Sequence, residues 1–422
     1  MDTASAGEAP TAPEGFRAVF RQSGFRSLFG SSLTSAIGAG TSAVAVNWLV
    51  FHQTHSTLDV AYLGLAGVVP GIALGLFAGV LADRYNRRNL MVTADLARMA
   101  TMAVLAALLF FAGFSLVLVL AAMVLVYSFS ALFNPASQAI LPRLVDRGTL
   151  EEANGALAAF AQIGSTTGAA IGGLLVASVG AVAGLGANAV TYALSATFLI
   201  QIAWSAGQSV RAGAAVERSL RRDFAEGISY MRTHRPILEV TIGFLPANLL
   251  FMMVMGFLVV YAAVRFGGDP LVYGYLATGV AGGAAVGALA IGRWKVRRNV
   301  GLLFGVSTIL QSGAVAALAL TNLLPVALVA VVVIGLDIGL INTAYFATIQ
   351  AIVPNDVLAR VLSIDSVGSF VGLPAGLLIG GLLSARYGIS GNYLIAAVGL
   401  LANGLLLLAL PGVRRLGYGP EA

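Results

Sequence analysis

The sequence predicts an all-α membrane protein of twelve transmembrane helices, arranged as two pseudo-symmetric six-helix bundles. Three observations carry that reading: composition, the placement of basic residues, and an internal repeat. Of the 422 residues 58% are hydrophobic and only 10% charged, against about 25% charged in soluble domains. A soluble surface made from this composition would lack the polar groups that keep it dispersed. The apolar runs recur along the whole chain and reach the length of about 20 residues that crosses a bilayer as a helix. In hydrocarbon every backbone N–H and C=O must be paired internally, so spans are helices or closed barrels. Runs that are continuous rather than alternating select helices.

The runs fall at about residues 27–53, 58–82, 90–113, 115–139, 151–177 and 184–206, then 237–264, 271–292, 300–320, 323–350, 358–385 and 390–410. They are spans 1 to 12. Residues 1–26 read as a cytoplasmic tail with an interfacial segment, and 27–206 as an N-terminal six-helix bundle. Residues 207–236 form the longest polar interruption and read as a linker, 237–410 as a C-terminal bundle, and 411–422 as a tail. Within the first segment, FRAVFRQSGFRSLF suits either a short helix lying on an anionic leaflet or a basic flank of span 1; both readings stand.

Charge sets the orientation, because cytoplasmic loops collect Lys and Arg. With the N-terminus inside, 21 of the 24 basic residues fall on inside segments and only Arg265 and Arg386 outside. Both termini then face the cytoplasm, and the net charge of +6 reports topology. The arginines are scattered over loops along the whole chain and over both tails, which is a poor nucleic-acid footprint.

The halves repeat. QAILP at 138–142 matches QAIVP at 350–354, IGGLL at 171–175 matches IGGLL at 379–383, and RRN at 87–89 matches RRN at 297–299. The three offsets lie between 208 and 212, half the chain, in one order. Parallel repeats of this kind belong to secondary transporters, with the substrate site near the midplane between the halves.

GVLADRYNRRN at 79–89 then resembles the signature between spans 2 and 3 of the major facilitator superfamily, through Gly79, Asp83, Arg84, Arg87 and Arg88. Asn86 stands where a glycine is usual. SGFRSLFGSSLTSAIG, FNPASQAILPRLVDRGTLEEANG and DFAEGISYMRTHRPIL are similar to the drug:proton antiporter and siderophore-exporter branch, the transmembrane secretion effectors. The resemblance implies that Asp83, a carboxylate at the unfavourable end of its helix dipole, contacts span 11 and latches the cytoplasmic side in the outward-facing state. It also implies that spans 1, 4, 7 and 10 line a central cavity. Their polar, aromatic or soft mid-span residues are Asn47, Tyr127, Asn248, Phe251, Met252, Asn342 and Tyr345, the expected substrate contacts.

In span 5, GSTTGAAIGG holds Gly164, Gly168, Gly172 and Gly173. A spacing of four aligns glycines on one face and lets another backbone approach; the segment resembles an antiporter motif but has Ala169 where that motif has proline. Asp95 and Arg98 stand three apart and can pair, and Asp95, Glu239 and Asp365 sit near the starts of spans, where acids favour the helix dipole. Asp337 differs. It falls in mid-span 10, where a charge costs about 2.5–3.5 kcal/mol on insertion scales. It should face the protein interior, with Tyr345 and Thr348 within about 80° of it, as the acid that binds and releases a coupled proton or as a structural acid bonded to a neighbouring helix.

The function expected is export of a hydrophobic or amphipathic small molecule by alternating access, in exchange for protons. Uptake, or lipid and lysolipid flipping, is the alternative within the class; a receptor or membrane enzyme is the alternative outside it. No metal spacing, nucleophile elbow or cysteine is present, and the single lysine, Lys295 in GRWKVRR, does not form a phosphate-binding loop. No enzyme activity, cofactor or metal is expected. The expected setting is a bacterial plasma membrane crossed many times, with a small-molecule substrate, protons and lipid as partners of a monomer.

Overall fold

The computed structural model describes residues 12–202, 228–294, 299–414 and 416–417, with side chains described for these except 12–16, 75–84, 147, 151, 292–294, 355, 356, 359, 360 and 363–370. Most of the 207–236 linker and parts of both tails lie outside the described residues. Among the described residues the regular structure is helical, and eleven helices are long and apolar enough to cross a membrane.

Spans 1 to 6 are Ser23–Thr54, Thr57–Arg84, Arg87–Ala112, Leu116–Leu144, Leu150–Ser178 and Ala181–Ile200. Span 7 is Arg235–Met255 continued by Leu258–Arg265, and spans 8 to 10 are Pro270–Trp294, Val300–Leu320 and Leu324–Ile352. The last long element, Asn355–Ala409, has 55 residues. As one straight helix it would run about 80 Å, against a hydrocarbon core of about 30 Å. Gly388 breaks it with φ 72° and ψ 170°, a backbone region open to glycine. Two spans, 11 and 12, are thus joined without a loop, and twelve crossings result from eleven apolar helices.

The two halves pair their helices in the same way. Spans 1·5, 1·6, 2·4, 3·4 and 3·6 pack in the first half, and spans 8·10 and 9·10 in the second, where the 11–12 helix packs on spans 7 and 9. Glycines set the closest approaches. A Cβ on Gly168 would run into the Ile37 carbonyl oxygen, and one on Gly376 into that of Leu249. Both glycines therefore seat a neighbouring backbone directly, span 1 on span 5 and span 7 on span 11, at equivalent places in the repeat. Gly173 faces Gly274 of span 8, and Gly381 faces Ala61 of span 2. These contacts, with Thr57 Oγ1 donating to the Gly381 carbonyl at 3.0 Å, join the halves on the side away from the termini.

Three local features differ from simple spans. Span 4 runs through Pro142 to Leu144, past the boundary set by hydropathy, and this end is packed within the protein: Ile140 and Leu141 are buried. Span 7 breaks at Gly256 and Phe257, where a Cβ on Gly256 would meet the Leu377 side chain at 2.5 Å. The N-terminal segment forms a helix, Ala12–Arg21, with Val19 fully buried and Phe20 edge-on to Phe25 and Phe29 at 5.2 and 4.9 Å. Its apolar side covers span ends of the first half.

At the far side Arg265 ends span 7. It donates to Asn322 Oδ1 at 2.5 Å, to the Ala319 carbonyl at 2.6 Å and to Ser390 Oγ at 2.5 Å.

Candidate functional site

A cavity of about 150 Å³ lies within the C-terminal half, walled by spans 7, 9 and 10. Asp337 lines it and is only 6% exposed. Phe244, Asn248 and Phe251 reach it from span 7, and Asn342, Tyr345 and Phe346 from span 10. Helical spacing explains the grouping: 244, 248 and 251 share one face, as do 337, 341 and 345. Phe244 and Tyr345 meet edge-on at 4.8 Å, and Tyr345 and Thr241 place their hydroxyls 3.4 Å apart. The Ser307 hydroxyl stands near the Asp337 carboxyl and donates to the Phe304 carbonyl at 3.4 Å. The Oδ1 of Asp337 is buried with no hydrogen-bond partner among the described residues, which is costly for a carboxylate.

Five residues expected from the sequence to act together thus share this cavity: Asn248, Phe251, Asn342 and Tyr345 as substrate contacts, and Asp337 itself as the acid. Asn47, Tyr127 and Met252 go elsewhere. They line a separate cavity of about 300 Å³ between the halves, with Met255, Tyr273 and Leu377. Asn47 turns its amide back to the Ala43 carbonyl at 2.9 Å. Span 9 adds Thr308 and Gln311 to the C-half cavity, two residues not expected from sequence. Their signal is present in the run STILQS at 307–312, with polar side chains at 307, 308, 311 and 312, but in a span that the resemblance does not assign to the cavity.

The N-terminal half holds a cavity at the equivalent place, about 360 Å³, walled mainly by spans 1, 3 and 4. At the offset of 210 that the RRN match sets for spans 3 and 9, Arg98 occupies the position of Thr308. Arg98 pairs with Asp95, and Asp95 accepts from Ser195 Oγ at 2.5 Å. Ser35 Oγ donates to Ser195 Oγ at 3.0 Å. The Arg98 guanidinium lies 4.5 Å from the Phe133 ring centre and 4.6 Å from that of Tyr192, inside cation–π range.

Of the signature between spans 2 and 3, Gly79, Asp83 and Arg84 lie outside the residues whose side chains are described, as do Arg360 and Asp365 of span 11. Arg87 Nη1 donates to the Ala139 carbonyl at 2.8 Å and Arg88 Nη1 to the Ile202 carbonyl at 2.9 Å. Each places a cation on a carbonyl near the end of a helix, where the dipole favours it. Gly164 packs near Leu33 and Ala36, and Gly172 against Thr41, so three glycines of that motif contact span 1. Among the described residues no group of three or more His, Cys, Asp or Glu side chains gathers as a metal site.

Fold and cavities together define a secondary transporter of major facilitator architecture. The model of the transmembrane secretion effector family matches residues 15–415, and the chain belongs to that family. The multidrug efflux pump Tap of Mycobacterium tuberculosis is 29% identical over 407 residues, 93% of this chain and 94% of that one. Macrolide efflux protein A of Streptococcus pyogenes is 22% identical, covering 90% of this chain and 95% of that one. Solved structures share the fold. A mutant of the peptide transporter POT aligns with TM-score 0.73 at 14% identity, over 94% of this chain and 96% of that one. The nucleoside transporter NupG aligns with TM-score 0.72 at 11% identity, over 92% and 98%.

Proposed function

We propose that the protein exports an amphipathic small molecule from a bacterial cell across the plasma membrane, in exchange for protons. The observation that carries this reading is Asp337: a mid-membrane acid, more than nine-tenths buried, set in the wall of a cavity among Phe244, Phe251, Tyr345 and Asn248. Aromatic rings take an apolar ligand, the amides orient it, and the acid exchanges between a proton and the substrate's polar or cationic group. Competition for one carboxylate is sufficient for antiport, since proton and substrate then leave in opposite directions. The efflux names of the relatives support the direction. The contacts at Thr57–Gly381 and Gly173–Gly274 support alternating access: they close one side of the central region, and rocking of the halves would exchange that closure for one on the other side, held by Asp83.

The test is flux in proteoliposomes with an imposed pH gradient, across a panel of dyes, macrolides and siderophores. The wild type should concentrate at least one compound against its gradient, and Asp337→Asn should abolish the pH dependence while leaving downhill exchange. Full pH-driven transport by Asp337→Asn would remove the acid from the mechanism. Lipid movement without pH-dependent flux of any compound would replace export by flipping.

A further inference from the structure

We propose that the N-half cavity is a second substrate subsite, one that takes an oxygen-rich group through Arg98 and the hydroxyls around it. The inference rests on the transport reading above and names the chemistry of the other end of the substrate.

The two half-cavities are equivalent by the repeat but not in what lines them. The C-half cavity is walled by rings, amides, one threonine and one acid. The N-half cavity is larger, and its polar lining is mostly hydroxyl: Ser32, Ser35, Ser42, Ser130 and Ser137, with Asn134. Serine hydroxyls donate as well as accept, so such a wall suits ligand hydroxyl, ether and carbonyl oxygens. Arg98 supplies the directed donors. It is 5% exposed and lines the cavity. A guanidinium has five N–H donors. Nη2 serves Asp95, and Nη1 reaches Ser130 Oγ at 3.3 Å, long for a hydrogen bond and so open to replacement by a ligand oxygen. Nε is buried without a partner among the described residues.

Pairing with Asp95 leaves the site close to neutral. That excludes a polyanion as the occupant and favours uncharged or weakly acidic oxygens. The guanidinium lies over the rings of both Phe133 and Tyr192, which fixes its place in the wall. The charges facing it are few: Asp95 of its own helix is the acid in contact, and spans 1, 4 and 6 present hydroxyls and rings. The cavity adjoins the one between the halves, since Val46, Met123 and Tyr127 wall both.

The experiment measures binding to the purified full-length protein in detergent, by fluorescence anisotropy, with two probes. Ethidium is an aromatic cation without oxygen; doxorubicin is an aromatic cation carrying hydroxyl and carbonyl oxygens. Two variants keep the site neutral or intact: the double variant Asp95→Asn/Arg98→Met, and Ser130→Ala. The double variant should weaken doxorubicin at least tenfold and shift ethidium less than twofold; Ser130→Ala should weaken doxorubicin about threefold, again without ethidium. Equal losses for both probes, no loss for either, or no doxorubicin binding by the wild type would overturn the subsite. Should the double variant fail to fold, Ser130→Ala decides the question by the same split. A binding split that persists in a protein without pH-driven flux would keep the subsite and discard proton exchange.

Discussion

The N-half and C-half cavities occupy the same place in two copies of one six-helix plan, yet one holds a paired charge and the other a lone one. Asp95 is fully buried and has Arg98, Ser195 and the serines behind it. Asp337 has no ion-pair partner among the described residues, and its Oδ1 is buried without a hydrogen bond there. The network around Asp95 ties spans 1, 3 and 6 together while leaving donors of Arg98 in reserve; Asp337 makes no such tie among the described residues. Burial alone therefore does not mark function in a membrane helix. The state of the partners does.

The strongest challenge to this contrast is to remove one member of the pair. Arg98→Met leaves Asp95 buried and unpaired, and removing one partner of a buried pair costs about 3–5 kcal/mol. The thermal unfolding temperature in detergent should fall steeply, and Asp95→Asn on top should restore part of it. Next in size is Gly168→Ala, whose Cβ would press on the Ile37 carbonyl; overpacking costs about 1–3 kcal/mol. Gly155→Ala, with nothing within 4 Å of the new Cβ, should leave the same melting curve unchanged or raise it slightly. Asp337→Asn should then move stability by less than about 1 kcal/mol, the range of substitutions away from packed or paired features, while pH-driven flux is lost. A large stability loss in Asp337→Asn would make that acid structural and erase the contrast. The smallest effect is expected at Asp83→Asn, a modest shift in labelling of cytoplasmic-side cysteines introduced singly. The absence of native cysteine makes that readout clean.

Hydropathy alone carries the twelve crossings, because a span must be both long and apolar whatever it packs against. Asp337 is also legible, since a charge in mid-span has no bland electrostatic account. The Asp95–Arg98 site is not. An acid two turns into a helix is explained by the dipole, and spacing suggests its pairing with Arg98 but not the bond to Ser195, on span 6. Thr308 and Gln311 escape for a related reason: the cavity wall in span 9 is made of short polar side chains that membrane helices also use for packing. Asn47 and Tyr127 stand out by their depth in the membrane. Depth does not say toward which cavity a helix face turns.

The clasp around Arg265 has a mechanical meaning. One guanidinium bonded to Asn322, Ala319 and Ser390 makes the outer ends of spans 7, 9 and 12 a stiff corner, which moves as a single block when pushed. Further down the same helix, Gly256 N–H bonds the Met252 carbonyl at 3.1 Å while Phe257 N–H shifts to that of Val254 at 3.2 Å, one tightened turn between the two helical pieces of span 7. The tied corner and the aromatic residues Phe251 and Phe244 thus lie on one span, with that turn between them.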